Sequence, residues 1–190
     1  MKFTALLFCT WSLLMAEVQG QKMEGLDKSP MDRAYYPDNF AHDRKFAPAL
    51  IAGMPAMVKV TYSRPPKNGR EIFGKLVPYN EVWRTGANES TEIKFYQDVI
   101  FQGKTVKAGT YSLFTIPKAN EWTIILNSDL DFWGAYSYDP AHDVLRVTVP
   151  VKKAEEAIEN FSIRFRKGNS NEAIMMLGWD TTLIEVLISF

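Results

Sequence analysis

From Ala56 onward, apolar side chains recur at every second position in short runs, each stopped by proline, glycine or asparagine. A period of two puts successive side chains on opposite faces of an extended backbone, so each run is predicted as a strand with one buried face. Ala56 to Ser63 sets Val58, Val60 and Tyr62 against Lys59 and Thr61, and Thr91 to Tyr96 sets Ile93 and Phe95 against Glu92 and Lys94. Val99 to Phe101, the Gln102-Gly103 pair and Thr105-Val106 read as a tight hairpin. Thr110 to Ile116, Trp122 to Leu126, Val144 to Val151, Phe161 to Phe165, Ala173 to Trp179 and Thr182 to Ile188 complete the set. Leu76 to Trp83 has room for one helical turn after Pro78, and Lys152 to Glu159 reads as a helical turn or a linker. A parallel sheet needs helical crossovers of a dozen or more residues, and none is visible. The expectation is therefore all-β: a single antiparallel β-sandwich, jelly-roll-like, of about nine strands.

The N-terminus reads differently. Lys2 precedes an apolar run from Phe3 to Ala16, and Val18 and Gly20 are small enough for a cleavage site before Gln21. The run is shorter than the ~20 residues that cross a bilayer, so residues 1–20 are expected to be a signal peptide rather than an anchor. Cys9 lies inside that run, after bulky Phe8, too early for a lipid-modified cysteine; it is the chain's single cysteine. The processed chain would then hold itself together by its core alone, with no disulfide. Residues 21–55, punctuated by Pro30, Pro37, Pro48 and Pro55, are expected to be an irregular extension, with Tyr35, Tyr36 and Phe40 available to dock on the domain formed by 56–190. Export places the protein in the periplasm or outside the cell, with no membrane span after cleavage.

Charge narrows the partners. The 22 basic and 22 acidic residues of the 190-residue chain cancel. A nucleic-acid binder normally carries a basic excess to neutralise phosphates, so no nucleic-acid partner is expected. Aromatic residues at 13% suit a pleated, half-buried surface.

Side chains suited to recognition crowd into the connection between the first two strands of the domain: Arg64, Arg70, Trp83, Arg84, Asn88 and Glu89. A guanidinium fork matches a carboxylate or phosphate, tryptophan stacks on a sugar face or a cation, and Asn88 and Glu89 offer hydrogen bonds. The structural alternative pairs these arginines with Glu71, Glu81, Glu89 or Glu92, makes Trp83 a core plug and makes Asn88 a turn former. A second aromatic loop, Phe132 to Tyr138 with Trp133, Tyr136 and Tyr138, is a candidate groove wall, against the alternative of a core or loop anchor. His42 and His142 are each followed by aspartate, but no His-x-His or His-Glu-x-x-His spacing is present, so neither a metal nor another cofactor is expected. There is no Gly-x-Ser-x-Gly, no Cys–His pair outside the export segment and no glycine-rich phosphate loop.

The runs Tyr62-Ser63-Arg64-Pro65, Gly69-Arg70, Ile72-Phe73-Gly74, Leu76-Val77-Pro78-Tyr79 and Val82 to Glu89 (VWRTGANE) resemble domain-of-unknown-function family 2911. The likeness continues through Ala108 to Leu113, Ile116-Pro117, Glu121-Trp122, Trp133-Gly134, Asp143 to Val147 and Trp179, and so covers most of the chain after the export segment. Asn80 stands where glycine is expected after Pro-Tyr; asparagine also tolerates left-handed geometry. The resemblance implies an exported protein of Gram-negative bacteria and supplies no catalytic residue. The leading expectation is a non-catalytic β-sandwich that binds a small or extended ligand, a glycan or an anionic envelope component, through Arg64, Arg70, Trp83, Arg84, Asn88, Glu89 and Trp133. Two rivals stand beside it. One is an envelope-directed hydrolase using Glu89 or His142 with Arg84. The other is a scaffold that binds partners through a sheet edge or the proline-rich leader.

Overall fold

The computed structural model describes residues 25–190. The expected signal peptide, 1–20, and the start of the extension lie outside the described residues. In chain order the elements are β1 (Met31–Tyr36), α1 (Phe40–Phe46), α2 (Pro48–Ile51), β2 (Val58–Ser63), β3 (Thr91–Phe95), β4 (Val99–Phe101), β5 (Lys104–Val106), β6 (Gly109–Pro117), β7 (Glu121–Asn127), β8 (Asp143–Lys167) and β9 (Glu172–Ser189), with a 3-10 turn at Pro140–His142. The strands pair antiparallel in one sheet, ordered β1-β2-β3-β6-β7-β8-β9-β4-β5. The antiparallel all-β class and the number of strands, about nine, are as predicted, but the strands are not the predicted runs one for one. Hydrogen bonding makes them one continuous sheet.

β8 explains how nine strands stay connected. Asp143 to Pro150 pairs with β7, and Val151 to Lys167 pairs with β9. The register shifts between Lys153 and Ile158 and again between Ile158 and Ser162. Such bulges bend a strand and sharpen its twist. Two of the predicted runs, 144–151 and 161–165, are thus one strand, and the charged segment between them is part of it rather than a helical turn or linker. β9 joins Ala173–Trp179 and Thr182–Ile188 in the same way, with left-handed Asp180 (φ 53°) at the junction. Lys67 reaches across to that aspartate at 2.6 Å.

Past the bend, β8 and β9 lie against the first strands. Tyr62 of β2 meets Phe161 of β8 edge-on at 5.8 Å and donates its hydroxyl hydrogen to the Ile163 carbonyl at 3.1 Å. Tyr36 of β1 stacks on Phe190 at 5.4 Å and donates to the Glu172 carbonyl. The inward members of each alternating run fill the space between: Val58, Val60, Ile93, Leu113, Phe161, Val186 and Ile188 are all fully buried. Aromatic rings crowd one end of this core, where Trp83, Phe73, Trp122, Phe161 and Trp179 lie within 6.2 Å of one another in successive contacts, most of them edge-to-face.

The extension is not irregular throughout. Met31–Tyr36 is an edge strand in full register with β2, from Met31 opposite Ser63 to Tyr36 opposite Val58. α1 and α2 follow, and Ile51 is their buried apolar anchor. Tyr36 docks on the core as anticipated, while Tyr35 and Phe40 pair with each other at 6.1 Å.

Candidate functional site

The connection between β2 and β3 is long, and its backbone is tied down at several points. Trp83 exchanges both backbone hydrogen bonds with Thr115 of β6, at 2.7 and 2.9 Å. The indole of Trp83 is buried in the aromatic cluster and donates Nε1–H to the Gly86 carbonyl at 3.1 Å. Thr91 donates its amide to the Arg84 carbonyl and its hydroxyl to the Thr85 carbonyl, at 3.1 and 2.7 Å. Thr85 is fully buried with φ 57°, a left-handed conformation that a β-branched residue adopts only under constraint. Asn88 is also left-handed, φ 59°, where asparagine is tolerated. The Trp83 hydrogen bond and the Thr91 clamp hold this turn and fix the direction in which Arg84 leaves the backbone.

The aromatic loop joins the same structure. Ser90 donates its amide to the Phe132 carbonyl and Gly134 donates to the Asn88 carbonyl, both at 2.8 Å, and Glu89 bridges Trp133. These bonds bring two segments far apart in sequence to one cleft of about 570 Å³, whose walls include Arg70, Val82, Trp83, Arg84, Asn88 and Tyr136. Gly134 (φ +70°) lets them meet: a Cβ there would sit 3.1 Å from Nη1 of Arg84 and 3.0 Å from the Tyr136 ring.

Arg84 is the distinctive group in the cleft. Its Nε is buried and has no hydrogen-bond partner among the described residues. No carboxylate of the described residues pairs with its guanidinium. A buried donor left unmade costs about 1–3 kcal/mol, more when the group is charged. Glu81 lines the same cleft but makes no ion pair with Arg84 there.

The other expected residues divide. Arg64 is locked: it donates through Nη1 to Asp32 at 3.0 Å, through Nη2 to Ser162 at 2.9 Å and through Nε to the Phe161 carbonyl at 3.3 Å. It faces a separate hollow beside β1. Arg70 lines the Arg84 cleft, yet its guanidinium is bound to the Lys67 carbonyl at 2.9 Å and to the Pro66 carbonyl. Trp83 is a core plug whose edge reaches the cleft wall, and Asn88 serves the turn while lining the cleft. Glu89 lines a smaller hollow with Thr61, Glu92 and Asp131. Trp133 is 63% exposed and is outside the cleft lining. Of the aromatic loop it is Tyr136, 84% exposed, that borders the cleft. Tyr138 is an anchor instead: its ring packs on Phe114 at 5.0 Å, and burial together with the hydrogen bond to Asp143 pushes its hydroxyl up to about 12.

Glu81 and Tyr136 join the set from the structure. The sequence offers Glu81 only as an ion-pair partner for an arginine, and Tyr136 as one ring of a candidate groove wall. The histidines stay apart from the cleft. His42 contacts Asp43 at 2.9 Å. His142 shares a hydrogen bond with Asp129 at 2.5 Å, and that carboxylate holds its pKa above the ordinary histidine value. Among the described residues no three His, Cys, Asp or Glu side chains cluster as metal ligands.

No curated protein and no solved structure matches the chain. A family model does, across residues 52–188, which takes in β2 to β8, all of β9 but its last residue, and every wall of the Arg84 cleft except Ser29. By that match, the chain whose bent nine-stranded sheet holds Arg84 in place belongs to the family described as protein of unknown function DUF2911.

Proposed function

We propose that this chain is an exported, non-catalytic binding protein whose Arg84 cleft takes the carboxylate or phosphate of a glycan or other anionic envelope component. The observation that carries the reading is Arg84, a cleft-lining guanidinium on a tied-down turn, with a buried donor that the described residues leave unmatched. A planar fork is suited to bidentate capture of these two anions. Tyr136 beside it offers an exposed ring face on which a sugar can lie, and the apolar side chains of Leu76, Pro78 and Val82 bound the remaining space. The site stands on a turn hydrogen-bonded to β6, so little ordering is asked of it on binding.

Thermal denaturation with glucuronate, glucose 1-phosphate and neutral glucose tests the proposal. A ligand present at a hundred times its dissociation constant stabilises by roughly 2.7 kcal/mol. For a domain of this size that is a rise on the order of 5–10 °C. We expect a rise with at least one of the anionic sugars, none with glucose, and none for either anion in Arg84→Ala. Equal behaviour of the native chain and Arg84→Ala across all three sugars would remove the cleft from consideration.

The hydrolase reading is less well supported. Its proposed acid–base groups, Glu89 and His142, line no part of the Arg84 cleft, and His142 is engaged with Asp129.

A further inference from the structure

A second surface shares no residue with the Arg84 cleft. The α1 and α2 helices cover an apolar groove of about 960 Å³ floored by Tyr35, Phe40, Ile51, Met54, Pro55 and Tyr96. On the outside of the same helices Phe46 and Leu50 stand 73% exposed, an unusual position for large apolar side chains so close together in sequence. Arg44 and Lys45 line the groove. The register of β1, β2 and β3 places Lys59 and Lys94 in one cross-strand row with groove residue Tyr35. Lys94 also lies 4.8 Å over the ring of Tyr96. Like charges directly opposite on neighbouring strands repel, so Lys59 beside Lys94 is tolerated best where an anion can come between. None of Arg44, Lys45, Lys59 and Lys94 is ion-paired among the described residues; the nearby carboxylates of Asp38, Asp43 and Asp98 are engaged with Arg164, His42 and Lys107, while Glu92, two residues from Lys94 on the same face of β3, makes no ion pair either.

We infer that this corner is a membrane-docking surface. Phe46 and Leu50 enter the boundary between headgroups and acyl chains, and the four free cations face anionic headgroups. Protruding apolar residues and unpaired cations on one surface are the two features that hold a protein on an anionic bilayer without crossing it. The chain as a whole is neutral, so these cations are not part of a general basic excess.

The test is cosedimentation of the full chain with vesicles of phosphatidylglycerol and phosphatidylcholine in equal parts, and with vesicles of phosphatidylcholine alone. Binding is expected to the first and to fall steeply with salt. Each basic group near an anionic surface contributes roughly fivefold, so Arg44→Ala with Lys45→Ala is expected to weaken binding by about 25-fold. Phe46→Ser with Leu50→Ser is expected to weaken it by about tenfold. All four side chains are exposed, so unchanged thermal denaturation should accompany both losses. Equal binding to both vesicle types, undiminished in either double variant, would assign the affinity to the apolar run Phe3 to Ala16 and overturn the inference. Self-association without vesicle binding, abolished by Phe46→Ser with Leu50→Ser, would overturn it in favour of a contact between copies.

Discussion

Replacing Trp83 by alanine separates its two readings, core plug and ligand platform. Its indole is 9% exposed and lies against Phe73, Trp122, Phe161 and Trp179 with ring centroids 5.2 to 6.0 Å away. A buried tryptophan removes about 200 Å² from water, worth ~5 kcal/mol at about 25 cal/mol per Å². Large-to-small changes of this kind cost about 3–5 kcal/mol once partial collapse of the cavity is allowed. We take ~4 kcal/mol, a fall of roughly 8–16 °C in Tm for a domain of this size. Trp83→Phe keeps a ring in the cluster but loses the hydrogen bond to Gly86, and is expected to fall about 1–2 kcal/mol. Tyr136→Ala, on the exposed rim, should change stability by less than about 0.5 kcal/mol while weakening any sugar ligand. Urea denaturation followed by tryptophan fluorescence and far-ultraviolet circular dichroism reads all three. A loss below about 1.5 kcal/mol for Trp83→Ala would refute the placement of this side chain in the core.

Other consequences are separable by experiment. Gly134→Ala imposes a side chain at φ +70° and crowds both Arg84 and Tyr136, so it should cost about 1–2 kcal/mol and also abolish anion binding; Gly53→Ala, at φ +74° with open space around it, should carry the backbone cost alone. His142 should titrate above the ordinary histidine value of about 6.5 in a proton NMR titration, and Asp129→Asn should return it toward that value. Because the folded value is the raised one, this pair contributes stability that is full below the unfolded pKa and is lost as pH rises through the folded pKa. Tyr138 should ionise near pH 12 in an ultraviolet titration, well after exposed tyrosines.

How far the sequence carries depends on the range over which each feature is decided. Alternation within a run is local, and it places Val58, Val60, Ile93 and Phe95 on the buried face. β1 is not local. In its sequence, MDRAYY, only Ala34 of the inward positions is well buried, and the strand exists because each of its residues finds a partner in β2. The segment Lys152 to Glu159 reads as a helical turn or a linker because charge dominates it, yet it runs extended, with Lys152, Lys153 and Ile158 paired to β9 and Ala154 alone of its side chains buried. The site follows the same rule. Arg64 and Arg84 are the same residue type in the same connection. Asp32, brought beside Arg64 by β1, satisfies one of them, and nothing described satisfies Nε of the other. Tyr136 reaches the cleft only because Gly134 hydrogen-bonds to Asn88, a pairing no spacing rule foretells.

The central claim is that the Arg84 guanidinium is held open for an anion. Nitrogen-15 NMR of the arginine Nε–H groups during titration with glucuronate and glucose 1-phosphate tests it most directly. The account predicts that the Arg84 resonance moves saturably with at least one of them, while those of Arg64 and Arg70, already bonded to the Phe161 and Lys67 carbonyls, hold still. An Arg84 resonance that stays fixed for both anions, or moves no more than those of Arg64 and Arg70, would contradict it.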